Sequence, residues 1–149
     1  MSPDKQSIAD VQIILCDMAQ TVGARVHVFG GGLTVWQLGT PLAVAVIAEI
    51  FGRGPAEGRK IQLSLIDADG RPVHNTQGLP VVFTMAVGQP DGPSLDNNPI
   101  LRSAVNVAPG ALALTPGQRY RWDYQVDDQV VASAAFRCIG VPSTPQVDM

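Results

Sequence analysis

Cys16, Asp17 and His27 are the side chains best suited by type to do chemistry in this chain. A thiol attacks as the thiolate and needs a base and an electropositive setting. A carboxylate directly beside it, as in Cys16-Asp17, holds the thiol protonated instead. Asp17 also interrupts the apolar run Ile13-Ile14-Leu15-Cys16-Asp17-Met18-Ala19. A carboxylate there must be paired, hydrogen-bonded or exposed. With Gln20 and His27 it makes a polar cluster able to bind a ligand or partner. The simpler reading is a strand-end acid at the surface, or one bonded to a turn backbone.

The other motifs carry less. His27 and His74 form no spaced ligand pair, and no Cys-x-x-Cys occurs, so no metal site is expected. Asp67-x-Asp69-Gly70 looks like half a calcium loop, but the chain has Thr76 where that loop needs Glu, and the acids read as the tip of a hairpin. Gly30-Gly31-Gly32 runs into the strand-like Leu33-Thr34-Val35-Trp36, whereas a phosphate loop opens a helix. The glycines read as a bulge or turn. There is no Gly-x-Ser-x-Gly elbow. No catalytic residue and no cofactor are expected. Cys16 and Cys138 read as small buried hydrophobes, with a bridge between first and last strands left open.

These groups must be positioned by a framework of strands. Charged residues make up 15% of the chain, well below the usual quarter, and 15 Gly and 12 Pro supply many turns. That composition fits a β-protein and argues against helical bundles and disorder. The 149 residues suit one domain, expected over 10–139 between a flexible N-terminus (1–9) and a flexible tail (140–149). The net charge is −3 and no basic stripe forms, so nucleic acid is not an expected partner. No apolar stretch is long enough to span a membrane as a helix. The run Ile13 to Cys16 is too short for a signal-peptide core, which makes the cytoplasm the expected location.

The clearest element follows Pro116-Gly117. Tyr120, Trp122, Tyr124 and Val126 alternate with Arg119, Arg121, Asp123 and Gln125, which is a strand with one buried and one wet face. Val130, Ala132, Ala134, Phe136 and Cys138 alternate in the return strand beyond Asp127-Asp128. Further strands are expected over 11–19, 25–29, 33–38, 60–66, 79–87 and 100–108, with a hairpin at Asp67–Gly70 and a long loop over 88–99. Residues 42–51 are apolar throughout; their β-branched members favour a strand, and their alanines keep a buried helix open. Roughly seven to nine short strands indicate an all-β fold, an immunoglobulin-like antiparallel sandwich. Leu114-x-Pro116-Gly117-x-x-Tyr120 resembles the tyrosine corner of such sandwiches, with Tyr120 as latch and Trp122 as core.

Leu15-x-Asp17-x-Ala19-Gln20, the triple glycine, the strand from Leu42, Leu63-x-Leu65-x-Asp67-x-Asp69-Gly70, and Pro116-Gly117-x-x-Tyr120-x-Trp122 with Phe136 together resemble an uncharacterised bacterial, mainly actinobacterial, family of small β-sandwich proteins. The resemblance implies the fold and carries no activity. The expected function is a non-catalytic interaction or structural subunit that self-associates or joins an assembly. The reason is that a strand apolar on both faces, as over 42–51, needs a cover. The alternative is a ligand-binding domain whose pocket is lined by the 88–99 loop and Trp36. A small enzyme using Cys16, His27 or Asp17 is the third reading.

Overall fold

The computed structural model describes residues 9–23, 25–51, 60–85, 100–108 and 110–140. They form ten strands: β1 (Ala9–Cys16), β2 (Met18–Val22), β3 (Arg25–Phe29), β4 (Val35–Gln37), β5 (Leu42–Ile50), β6 (Ile61–Asp67), β7 (Val82–Met85), β8 (Ile100–Val107), β9 (Arg119–Val126) and β10 (Gln129–Ile139). No helix occurs among the described residues. The strands make three sheets, ordered β1-β5-β8, β4-β10-β9-β6-β7, and β2-β3. The expected tail and the 88–99 loop lie outside the described residues. Ala9, expected in the flexible N-terminus, begins β1 and is buried.

The three- and five-stranded sheets share one apolar cluster. Leu42, Val44, Val46, Ala48 and Ile50 of β5 meet Ile61, Leu63, Leu65, Tyr120, Trp122, Tyr124 and Val126 in it. Period-2 alternation on β6 and β9, with Phe136 and Cys138 of β10, supplies most of one side of this core. Full burial of each large member is worth about 1.5–3 kcal/mol. The 42–51 segment is therefore a strand. Its even-numbered residues enter the main core, while Ala43 and Ala45 face outward into a second cluster with Cys16 and Ala19. The β2-β3 hairpin covers that second face through Ala19, Val26 and Val28. The apolarity of 42–51 is thus satisfied within the chain and supplies no reason for a partner.

Several expectations are corrected by the topology. The strand expected over 11–19 breaks at Asp17, because Asp17 N–H donates to Phe29 O at 2.9 Å and the chain leaves one sheet for another. A Cβ at Gly30, whose φ is +66, would overlap the Asp17 carboxylate, so only glycine fits beside this break. Not every pairing is antiparallel: β4 runs parallel to β10. The ladder slips between Val130 and Ala132, making Val131 an extra residue. Val130 consequently stands opposite Gln125, away from the core-facing row of Ala132, Ala134 and Phe136.

The turns follow local chemistry. Asp67 Oδ1 accepts the N–H groups of Asp69 and Arg71, each at 2.9 Å, as turn acids do. Pro72 cannot donate to a ladder, and the return arm meets β6 through an isolated bridge between Pro72 and Ile66 and the Val73 N–H to Leu65 O bond at 3.0 Å. Asp127 and Asp128, with φ of 50 and 67, form the two-residue turn between β9 and β10.

Candidate functional site

The outward face of the β2-β3 hairpin holds the expected polar cluster in part. Gln20 on β2 stands directly opposite His27 on β3, and both are exposed. Asp17 lies exposed at the end of the same hairpin, packed on Gly30. Met18 pairs with Phe29 and Val22 with Arg25 on this face. Met18, Val22 and Phe29 are 48%, 52% and 51% exposed, a concentration of apolar surface that isolated surface hydrophobics do not produce. These three were not picked out from the sequence, where they read as ordinary strand residues.

The hairpin is held from behind by one side chain. Asn106 on β8 donates from Nδ2 to Ala19 O at 2.9 Å and accepts the Ala19 N–H on Oδ1 at 3.2 Å. An amide with both groups engaged substitutes for a neighbouring peptide unit.

Tyr120 and Trp122 are buried on the core face of β9. The Tyr120 hydroxyl accepts the Thr115 N–H at 2.8 Å, tying the approach to β9 onto the strand itself. Trp122 is fully buried with its ring 6.1 Å from that of Phe83. The Trp122 Nε1–H and the Tyr124 hydroxyl are both buried and without a hydrogen-bond partner among the described residues. Burial pushes the Tyr124 phenol up to about 12. Trp36, expected to line a pocket, is instead in the core. It donates from Nε1 to Thr40 O at 3.1 Å and meets Phe136 edge-on at 6.2 Å.

The outward face of the five-stranded sheet is less uniformly wet than its sequence implies. Asp123 is only 3% exposed. It accepts Arg121 Nε at 2.8 Å and Ser133 Oγ at 2.7 Å, with Ser64 opposite it on β6. The small serines on either side let Arg121 lie over the carboxylate. Arg119 and Arg137 stand opposite each other further along this face, beside an open cleft of ≈ 290 Å³. Only the β9-β10 register makes these arginines neighbours.

Both cysteines are free and buried. Burial, and then the adjacent Asp17 charge, push the Cys16 thiol up, and burial alone pushes up that of Cys138. Cys16 donates toward Ala43 O at 3.6 Å inside the second cluster, which suits a packed thiol rather than a nucleophile. His74 lines a polar cleft of ≈ 400 Å³ with Asp67, Asp69 and Tyr120. Among the described residues no group of three or more His, Cys, Asp or Glu is arranged to hold a metal ion.

No family model matches the sequence, and no curated protein matches it. Among solved structures the chain is similar to the alkylpurine DNA glycosylase AlkC of Pseudomonas fluorescens, bound to DNA containing an abasic site analog. The likeness has a TM-score of 0.44 and 14% identity, and covers 70% of this chain. The chain spans 27% of the glycosylase's length.

Proposed function

We propose that the chain is a non-catalytic subunit, built as an immunoglobulin-like sandwich, that assembles with a second copy of itself through the outer face of the β2-β3 hairpin. The sandwich reading is supported by two sheets sharing one core and by the Thr115–Tyr120 latch. The observation that carries the assembly is the exposed trio Met18, Val22 and Phe29 on a hairpin whose other face is already occupied.

The face is complementary to itself. Met18, Phe29 and the Asp17 carboxylate stand at one end, and Val22 and Arg25 at the other. A two-fold axis crossing the strands at Gln20 and His27 lays each end over the opposite end of the other copy. Met18 then meets Val22 of the other copy, and the Phe29 ring meets the Arg25 guanidinium as a cation–π pair, once at each end as an isologous interface requires.

Size-exclusion chromatography with light scattering, over a range of protein concentrations, tests this. The expected mass is that of two chains, returning to one in Phe29→Glu, a substitution at an exposed position. A wild-type protein that stays monomeric at every concentration, or a Phe29→Glu variant that still dimerises, refutes the reading.

A further inference from the structure

On the outward face of the five-stranded sheet, Arg119 of β9 is the direct cross-strand neighbour of Arg137 of β10. Like charges so placed repel and weaken the pairing. Neither guanidinium has an ion-pair partner among the described residues, whereas Arg121, the next outward residue on β9, is neutralised by Asp123 at 2.8 Å. The chain therefore concentrates uncompensated positive charge at one spot while its net charge is −3.

That spot is the mouth of a groove. Arg119, Arg137, Thr34 and Val35 line an open cleft of ≈ 290 Å³. The loop bearing Thr34 is fixed there, because Arg137 N–H donates to Thr34 O at 2.9 Å. The cleft adjoins a second one of ≈ 290 Å³ through their common residues Thr34 and Ala135. The second cleft is lined mainly by apolar side chains, including Ile13, Leu33 and Ala134. Two guanidinium forks at one end and a greasy channel at the other match one ligand chemistry. A guanidinium takes a carboxylate through two parallel hydrogen bonds, and the channel rewards a hydrocarbon tail.

We infer that this groove binds a small carboxylate carrying an apolar tail, its head held between Arg119 and Arg137 and its tail along Leu33. The ligand-free face is the strained one, and the carboxylate relieves the repulsion across the strands. The head of the groove lies on the five-stranded sheet, away from the β2-β3 hairpin, and hexanoate binding is read separately from the mass of the assembly.

Isothermal titration calorimetry with hexanoate tests the inference, using acetate, hexanol and inorganic phosphate as comparisons. Hexanoate is expected to bind at least roughly tenfold more tightly than acetate or hexanol, because head and tail both contribute. Arg119→Gln and Arg137→Gln are each expected to weaken hexanoate by at least about tenfold, the worth of a charge-assisted hydrogen bond. Arg119→Glu separates binding from folding, since it places an opposite charge across from Arg137 and keeps the sheet paired. Its thermal midpoint is expected to equal or exceed that of the wild type while hexanoate binding is lost. Hexanol or phosphate binding as tightly as hexanoate, undiminished binding in Arg119→Glu, or no hexanoate binding at millimolar concentration overturns the inference.

Discussion

Deleting one oxygen at two positions of β9 should change stability in opposite directions. Tyr120 and Tyr124 both point into the core, but among the described residues only the Tyr120 hydroxyl has a partner, the Thr115 N–H at 2.8 Å. Tyr120→Phe therefore loses a hydrogen bond and is expected to cost about 1 kcal/mol. Tyr124→Phe removes a buried group left without a partner, whose desolvation costs about 1–3 kcal/mol. The gap it leaves is smaller than a methyl group and costs less than about 1 kcal/mol. The net expectation is a gain of about 1 kcal/mol, or about 2–4 °C in Tm for a chain of this size. Urea unfolding followed by tryptophan fluorescence, with equal m-values, reads both variants. The pH dependence gives a second check. The Tyr124 phenol is pushed up from 10.0 to about 12 in the folded chain. The folded state thus holds this proton where the unfolded state releases it, and stability falls as pH rises from about 10 through about 12. In Tyr124→Phe that component of the alkaline loss should vanish. If Tyr124→Phe is as destabilising as Tyr120→Phe, or keeps the wild-type alkaline profile, the account of the unpartnered hydroxyl is wrong.

Asn106→Leu should remove both hydrogen bonds to Ala19 and destabilise the protein by about 1–3 kcal/mol; amide hydrogen exchange should quicken in β2 and β3 and stay slow in β9. Asp123→Ala leaves the Ser133 hydroxyl and the Arg121 guanidinium without their acceptor. Because the Arg121 side chain is 42% exposed, the expected cost in chemical denaturation is about 2 kcal/mol, below that of breaking a fully buried pair. Cys16 and Cys138 should resist iodoacetamide in the folded protein and react with it in urea. Mass spectrometry showing rapid labelling of folded Cys16 would contradict its burial.

The all-β character was legible because β6, β9 and most of β10 send every second residue into the core, which writes a period of two into the residues. The strand over 42–51 was harder. A strand buried on both faces loses its period, and nothing in the apolar run says whether the cover comes from another molecule or from a hairpin of the same chain. The break at Asp17 was visible as a polar interruption, but its use as a crossing point between sheets depends on the bond to Phe29. Asp123 read as a wet-face acid because alternation reports direction and says nothing about Ser64 and Ser133, whose small size lets Arg121 close over it. The Gln20–His27 pairing follows from a short turn, and the sequence reading named both residues. Met18 and Phe29 were missed, since alternation sets Phe29 on the face of His27 but says nothing of Met18 standing opposite it. Arg119 and Arg137 become neighbours only through the register of β9 on β10, which turn geometry and the Val131 slip set together.

The position of β5 in its sheet also bears on the order in which the chain is made. One edge of β5 pairs with β1, which precedes it, while the other waits for β8, whose first residue lies roughly 50 positions beyond the end of β5. At ribosomal speeds of about 5–20 residues per second, that edge stays open for several seconds, on the order of 3–10 s. The open segment, Leu42 to Ala48, is rich in β-branched residues and has neither charge nor proline, the composition that adds strands to itself. Glu49 then acts as a gatekeeper at its end. Hairpin β2-β3 is synthesised before β5 and can be waiting to cap its face, but its open edge has no such guard. For this chain the exposure of the β5 edge belongs to synthesis, and it ends when β8 pairs with it.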